Sequence, residues 1–295
     1  MSDFSQFSGC YTALITPFKG DGVDVAAFEQ FVEWQIGQGV HGLVPCGTTG
    51  ESPTLTPAEH GEVIARAVAV SKGRVKIMAG TGSNSTAEAV EYTKHAEKVG
   101  ADAALVVSPY YNKPTQEGLY QHFKAVAAAT RLPIFIYNIP GRSVVNMTDA
   151  TLARLAEIKN IAGLKDATGD LARVATLRHL VGDRLVQFSG EDMTAVGFNA
   201  MGGRGVISVA SNLAPKISAE VQNLSLAGKH DDARALHAQL VPLINAMFVE
   251  TNPMPVKFAS SLMKKTDGTM RLPLVQPTEQ TQSTVRTAMA ELGLI

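Results

Sequence analysis

The 295-residue sequence is poor in the residues that mark several common protein classes. Its two cysteines, Cys10 and Cys46, form neither a disulfide framework nor a zinc-binding spacing, so we expect a reducing compartment. Its seven histidines include no His-x-x-x-His pair beside an acid, and no metal site is predicted. No apolar stretch is long enough to span a bilayer, and the first residues lack the pattern of a signal peptide. These absences predict a cytoplasmic protein without a membrane partner.

An excess of charge of one sign is also missing. The chain has 26 basic and 27 acidic residues, a net charge of -1, and no long run of either sign. This balance argues against nucleic acid or an anionic membrane surface as a partner. There is no Gly-Lys-Ser/Thr loop, and the glycine-rich residues 80–84 lack the third glycine of a dinucleotide fingerprint. What the chain does have is 45% hydrophobic residues, enough for a large core.

Short apolar runs alternate regularly with amphipathic helical stretches. The predicted strands cover residues 11–16, 42–46, 76–79, 103–107, 134–137, 161–164, 185–188 and 205–209. Helical stretches lie between them, for example over 25–39, 57–72, 86–99 and 116–130. Eight strand-then-helix units predict an α/β protein, a (β/α)8 TIM barrel, with an open doubly wound sheet as the alternative.

After residue 214 the alternation stops and only helical patterns remain. The sequence therefore predicts two domains, a barrel with the catalytic site over 1–214 and a C-terminal helical domain over 215–295, with about three or more helices. Two helix starts resemble capping boxes, Thr56 with Glu59 and Ser85 with Glu88.

One lysine stands out at the end of a buried strand. The apolar residues 161–164 run directly into Lys165. Desolvation at such a position disfavours the ammonium form and can release a nucleophilic amine, which forms Schiff bases with carbonyl compounds. The alternative is a lysine that reaches solvent, or that pairs with Asp166 or another carboxylate.

Polar residues follow several of the other predicted strands. In a barrel these positions meet at one mouth, where catalytic groups lie. Residues 47–52 offer hydroxyls and backbone N–H groups for a small carboxylate, residues 108–114 and 137 offer tyrosines, and Arg142 can clamp a second carboxylate. Glu191 and Asp192, after the seventh strand, would repel phosphate. Taken singly, these residues could equally be turn residues, packing aromatics or a surface arginine.

Four motifs together resemble a known family. They are Gly-Thr-Thr-Gly-Glu-Ser at 47–52, Pro-Tyr-Tyr-Asn at 109–112, Tyr-Asn-Ile-Pro-Gly-Arg at 137–142 and Gly-Leu-Lys-Asp-Ala-Thr-Gly at 163–169. Over nearly its whole length the chain is similar to the class I pyruvate aldolases, the family of dihydrodipicolinate synthase and N-acetylneuraminate lyase. The resemblance implies a (β/α)8 barrel with a helical C-terminal domain, assembled as a homotetramer from a dimer of dimers.

The resemblance also implies roles for individual residues. Lys165 would form the Schiff base with pyruvate, and Tyr137 would donate and accept the proton at the imine. Thr49 would link Tyr137 to Tyr111, which enters from a neighbouring subunit. The implied substrate-binding positions, for pyruvate and aspartate semialdehyde, are Thr48, Thr49, Arg142, Gly190 and the main chain of Ile207. No metal or organic cofactor is implied, because the imine is itself the electron sink.

Some family members bind L-lysine as a feedback inhibitor. The positions that match this site are Ser52, His60, Asn84, Glu88 and Tyr110. Pro57 departs from the pattern, since some inhibited members carry histidine there. The alternative is that Glu88 only caps its helix and His60 only faces solvent.

Three functions remain open from the sequence. The first is condensation of pyruvate with L-aspartate-4-semialdehyde in lysine biosynthesis, favoured by Thr48 in the second loop and by Arg142. The second is another 2-oxo acid aldolase, such as N-acetylneuraminate lyase or a keto-deoxy sugar acid aldolase. The third is a metabolite-binding barrel without turnover, which would have no need of a proton relay.

Overall fold

The computed structural model of the protein describes residues 4–295. Its strands are β1 (Gly9–Ala13), β2 (Phe18–Lys19), β3 (Gly22–Val23), β4 (Gly42–Val44), β5 (Lys76–Gly80), β6 (Ala103–Val107), β7 (Ile134–Asn138), β8 (Ile161–Asp166), β9 (Val186–Ser189) and β10 (Gly205–Ser208). Its α-helices are α1 (Val25–Gly37), α2 (Pro57–Ser71), α3 (Thr86–Val99), α4 (Gln116–Ala128), α5 (Pro140–Ser143), α6 (Asp149–Leu155), α7 (Leu171–Val181), α8 (Ala195–Ala200), α9 (Pro215–Leu226), α10 (His230–Ala246), α11 (Met254–Leu262) and α12 (Glu279–Glu291).

Eight of the strands close into a parallel barrel. The order around it is β1, β10, β9, β8, β7, β6, β5 and β4, and β1 pairs with both β4 and β10. The predicted (β/α)8 TIM barrel is therefore confirmed, and the open doubly wound sheet is wrong. All eight strands end at the same mouth, so the polar positions that follow them converge there.

Aromatic rings fill the inside of the barrel. The ring of Phe135 contacts those of Phe7 and Phe188 edge to face, with centroids 5.1 and 5.8 Å apart. The neighbouring strand leaves room for Phe135 at Gly163, where a Cβ would lie 2.4 Å from the ring and 2.4 Å from the carbonyl oxygen of Val186. Because Gly163, two residues before Lys165, has no side chain, β8 can pack directly against the Phe135 ring.

The helices after residue 214 pack on one another and on the barrel. Helix α9 contacts β1 and β10, α10 packs on α9 and α12, and α11 packs on α12. The division at residue 214 stays a prediction. The segment between α10 and α11 reaches the mouth of the barrel, as described below.

Several local predictions differ from the structure. The first strand begins two residues earlier than predicted and ends at Ala13, because its partner β4 ends at Val44. The hairpin β2–β3 was not predicted. The capping box at Thr56 is confirmed. The capping box at Ser85 is wrong, because its side chain makes no cap and the carboxylate of Glu88 instead accepts a hydrogen bond from Ser83 Oγ at 2.5 Å.

Both cysteines are buried free thiols. Within residues 4–295, no helix has the length and apolar character to cross a membrane.

Candidate active site

Lys165 is buried at the mouth of the barrel. It is the penultimate residue of β8, its side chain is 6% exposed, and its Nζ lies 3.9 Å from the centre of the Tyr137 ring. Tyr137 stands directly beside it in register on β7. None of the ion pairs formed within residues 4–295 includes Lys165. This amine is therefore held beside a phenol without a salt bridge, and the acid on the cavity wall is Glu191.

Asp166 is not the partner of Lys165. Successive side chains of a strand point to opposite faces, and the Asp166 carboxylate lies 3.5 Å from Nε of Arg173 and accepts the backbone N–H of Thr168 at 2.9 Å. Burial raises the pKa of Asp166, while Arg173 acts to lower it. The alternative in which Lys165 pairs with Asp166 is therefore wrong.

Lys165 opens into a small cavity of about 40 Å³. That volume corresponds to roughly three water molecules, a size that suits a three-carbon acid. Six of the residues predicted for the site line this cavity: Lys165, Tyr137, Thr48, Thr49, Arg142 and Gly190. Its wall also includes Glu191, Phe248 and Asn252. The residues that the sequence scatters over 143 positions thus share one enclosed space.

The threonine loop, residues 47–52, is a tight turn. The carbonyl oxygen of Gly47 accepts the N–H groups of Gly50 and Ser52 at 3.1 and 3.4 Å, and that of Thr48 accepts the N–H of Glu51 at 3.1 Å. Glu51 has a φ of 53°, in the left-handed region that disfavours side chains. The turn presents Thr48 and Thr49 to the cavity, with Thr49 only 2% exposed.

Asn252 was missed by the sequence analysis. Its Nδ2 donates to Thr49 Oγ1 at 3.1 Å, and its carbonyl oxygen accepts from Nη2 of Arg142 at 3.0 Å. Its Oδ1 is buried without a hydrogen-bond partner. One residue of the C-terminal part thus contacts two of the predicted substrate-binding residues. The only sequence signal was the proline-rich break around residues 253–255.

The two acids after β9 have different surroundings. Glu191 lines the cavity, and burial raises its pKa while Lys165 and Arg142 act to lower it. Asp192 faces away, and its Oδ2 accepts the N–H groups of Val209 and Ala210 at 2.8 and 3.0 Å. Glu191 therefore contributes charge to the site, and Asp192 fixes the loop after β10.

Two predicted residues do not line the cavity. Tyr111 is 87% exposed, with a φ of 69°. Ile207 is 1% exposed and packs in the barrel interior with Tyr137 and Phe188. A single chain therefore does not bring Tyr111 to Lys165, and Ile207 belongs to the barrel interior and not to the lining of the cavity.

A second, larger cavity of about 440 Å³ adjoins the first and shares Thr48, Tyr137 and Arg142 with it. Of the five residues predicted for a lysine site, Ser52, Glu88 and Tyr110 line it, and so does Pro57. Asn84 and His60 do not line it.

His60 and Asn84 contact other residues instead, and the partner of His60, Tyr92, itself lines the larger cavity. His60 is 2% exposed and stacks on Tyr92 with ring centroids 4.1 Å apart, so the alternative that it faces solvent is wrong. Burial lowers the pKa of His60 to about 4, and the ring is neutral at pH 7. The carbonyl oxygen of Asn84 accepts from Asn112 Nδ2 at 2.9 Å.

Comparison with known proteins agrees with this geometry. The model of the dihydrodipicolinate synthetase family matches residues 6–292. A 4-hydroxy-tetrahydrodipicolinate synthase of Afipia carboxidovorans is 55% identical over 295 residues, the whole of both chains. The dihydrodipicolinate synthase of Acinetobacter baumannii, solved with pyruvate, is 46% identical, with a TM-score of 0.96 over 98% of this chain and 99% of that one. The enzyme of Cyanidioschyzon merolae, solved with lysine, is 38% identical, with a TM-score of 0.95 over 98% and 99% of the two chains. The chain belongs to the dihydrodipicolinate synthetase family.

Proposed function

We propose that the chain condenses pyruvate with L-aspartate-4-semialdehyde to 4-hydroxy-tetrahydrodipicolinate, a step of diaminopimelate and lysine biosynthesis, through a Schiff base on Lys165. The observation that carries this proposal is the unpaired, buried Lys165 beside Tyr137 in a cavity walled by Thr48, Thr49 and Arg142. The names of the relatives at 55% identity and the pyruvate complex of a solved neighbour support it.

The first stage is formation of the imine. The amine of Lys165 attacks C2 of pyruvate, and the resulting carbinolamine loses water as Tyr137 supplies a proton to the leaving oxygen. The contact of the Tyr137 ring with the Lys165 amine supports this role. The Tyr137 oxygen, which has just given up its proton, then takes a proton from C3, and the enamine forms.

The second stage forms the carbon–carbon bond. The enamine carbon attacks the aldehyde carbon of aspartate semialdehyde, whose oxygen takes up a proton to become a hydroxyl. The amino group of the adduct then attacks the imine carbon, which closes the ring and releases Lys165. One water leaves overall, so the lysine is regenerated without an oxidant or reductant.

The substrate carboxylates bind to two different groups. The threonine loop offers hydroxyls and N–H groups to the pyruvate carboxylate. The guanidinium group of Arg142 binds the carboxylate of the semialdehyde. Its Nη2 donates to the Asn252 carbonyl oxygen, and its other N–H groups can donate to the substrate. Arg142 lines both cavities, so the second substrate enters through the larger one.

A proton relay would complete the site. Asn252 donates to Thr49 Oγ1, which leaves the Thr49 hydroxyl proton free to point at another acceptor. We propose that the proton relay runs from Tyr137 through Thr49 to Tyr111, and that this Tyr111 comes from a neighbouring subunit in a homotetramer. The 87% exposure of Tyr111 supports a role at a subunit contact.

We further propose that L-lysine binds in the larger cavity and inhibits the enzyme. Glu88 supplies a carboxylate for an ammonium group, and Ser52 and Tyr110 supply hydroxyls. Steady-state rates measured with millimolar lysine test this, and undiminished rates would contradict it. Glu88→Gln should weaken inhibition more than it changes the uninhibited rate.

The experiment for the main proposal is borohydride trapping with pyruvate, followed by peptide mass spectrometry. We expect a reduced pyruvate adduct on Lys165 in the wild type and none in Lys165→Ala. Lys76→Met is the matched control, because Lys76 pairs with Asp102 at the opposite end of the barrel strands. A folded wild type that binds pyruvate without an adduct would bring back the non-catalytic barrel.

The acceptor aldehyde needs a second assay. The rates of product formation with aspartate semialdehyde and of cleavage of N-acetylneuraminate and keto-deoxy sugar acids are measured side by side. Faster turnover of the sugar acids would replace the proposed substrate and keep the imine mechanism.

A further inference from the structure

The side chain of Glu51 carries a charge that the proposed mechanism does not use. Glu51 and Lys257 are both 0% exposed and form an ion pair, and Nζ of Lys257 also donates to the carbonyl oxygen of Thr16 at 2.9 Å. The second carboxylate oxygen of Glu51 accepts the backbone N–H of Arg271 at 3.2 Å. Burial lowers the pKa of Lys257, and the Glu51 carboxylate acts against this.

Burying this ion pair carries a large desolvation cost. Removing a carboxylate and an ammonium from water costs several kcal/mol per ion, and a well-packed apolar pair often serves stability as well or better. Stability alone therefore does not account for a fully buried pair. The position of the pair suggests a second role. Glu51 belongs to the threonine loop, the turn that presents Thr48 and Thr49 to the cavity.

The pair also joins three segments at one point. Lys257 belongs to α11, Thr16 follows β1, and Glu51 follows β4. Thr16 Oγ1 donates to the carbonyl oxygen of Gly50 at 2.7 Å, so the threonine loop is held next to Glu51 as well. Five residues before Lys257, Asn252 contacts Thr49 and Arg142. The segment from Asn252 to Lys257 thus holds the threonine loop at two points, through the Lys257 ammonium at Glu51 and through the Asn252 side-chain amide at Thr49.

We propose that Glu51 and Lys257 are positioning residues, whose buried ion pair fixes the threonine loop so that Thr48 and Thr49 meet the pyruvate carboxylate beside Lys165. This inference rests on the proposed function. Neither residue touches the reacting atoms. A displacement of about 1 Å in such a loop is enough to cost about 100-fold in rate.

The test separates positioning from stability with a charge-free pair. Glu51→Gln, Lys257→Met and the double variant Glu51→Met with Lys257→Met are compared with the wild type. For each we measure the melting temperature, kcat, KM for pyruvate and the rate of borohydride trapping per folded protein. The control is Lys76→Met, which breaks a partly exposed ion pair, Lys76 to Asp102 at 2.8 Å, far from the mouth.

We expect Lys257→Met to lose much stability, because it leaves the Glu51 carboxylate buried and unpaired. The double variant should melt closer to the wild type but keep a kcat/KM for pyruvate that is about 10- to 100-fold lower, with slower trapping. Glu51→Gln keeps the size of the side chain and an oxygen that can accept from Lys257; it should also lose stability, because the ammonium keeps no counter-charge, and its folded protein should show the same loss of kcat/KM. Lys76→Met should keep wild-type kinetics.

Wild-type kcat/KM in the folded double variant or in folded Glu51→Gln would overturn the proposal, as the pair would then serve stability alone. If the double variant does not fold, Glu51→Gln decides. The wild-type arm keeps the two proposals distinct, because absence of trapping in the wild type refutes the imine mechanism, whereas trapping that is equal in all folded variants refutes only the positioning role.

Discussion

Acid should destabilise this protein partly through one histidine that lines neither cavity of the candidate site. His122, on α4, is 5% exposed, its Nδ1 lies 2.9 Å from Thr86 Oγ1, and its Nε2 is buried without a partner. Burial lowers its pKa to about 4, against an ordinary value near 6.5. The unfolded chain therefore takes up a proton at this residue at a higher pH than the folded protein does.

The sign and size follow from linkage. The stabilising contribution of the neutral ring is complete above pH 6.5 and is lost as the pH falls toward 4. Between pH 7.5 and pH 5.0 the loss amounts to about 2 kcal/mol of unfolding free energy for one such histidine. His60, whose pKa is also lowered to about 4 by burial, should contribute a similar amount.

The assay is urea unfolding followed by circular dichroism at pH 7.5 and pH 5.0, at one fixed protein concentration. The wild type is compared with His122→Gln and with the control His179→Gln, whose imidazole is exposed. We expect the loss of stability on acidification to be smaller by about 2 kcal/mol in His122→Gln than in either other protein. Buried acids with raised pKa values, such as Asp166, act in the opposite sense but cancel in the difference. The same pH dependence in all three proteins would refute the argument.

Three further changes have defined outcomes. Asn252→Ala removes the hydrogen-bond donor to Thr49 and should lower kcat/KM about 10-fold, or about 1.4 kcal/mol, in steady-state assays. An unchanged kcat/KM would show that this hydrogen bond does not contribute to catalysis. Tyr137→Phe keeps the ring but should slow pyruvate trapping at least about 100-fold, and trapping at the wild-type rate would remove Tyr137 from the imine step. Gly163→Ala puts a Cβ 2.4 Å from the Phe135 ring and should cost about 2 kcal/mol of stability, which thermal melting checks; an unshifted melting temperature would contradict the packing described.

The barrel could be predicted from the sequence because its strands are locally encoded. Strands buried on both faces appear as continuous apolar runs, and the strand over 103–107 was predicted at its observed bounds. Lys165 followed from the same logic, since one charged residue ended such a run. Strand ends were less accurate because pairing with the neighbour, not the run itself, ends a strand, as at Ala13.

The C-terminal contribution to the site could not be predicted, because its contacts are distant in sequence. Asn252 lies 203 residues from Thr49, and Lys257 lies 206 residues from Glu51. Neither residue belongs to a sequence motif, and the helical pattern around them does not indicate that they contact the site. The Ser85 cap failed for a local reason, since Ser83 competes for Glu88. Tyr111 is exposed in a single chain, so the role proposed for it requires a second copy.

The late position of Asn252 and Lys257 in the chain has a consequence for protein synthesis. A nascent chain in which all eight barrel strands have emerged from the ribosome still lacks the amide on Thr49 and the ammonium beside Glu51. Its threonine loop would carry an unpaired acid until residue 257 is added, and would miss the Arg271 N–H until residue 271 follows. Domains fold as units during synthesis, so the barrel can assemble first. If the ion pair positions the threonine loop as proposed, the site reaches its full rate of pyruvate capture only after residues 252 and 257 have been added.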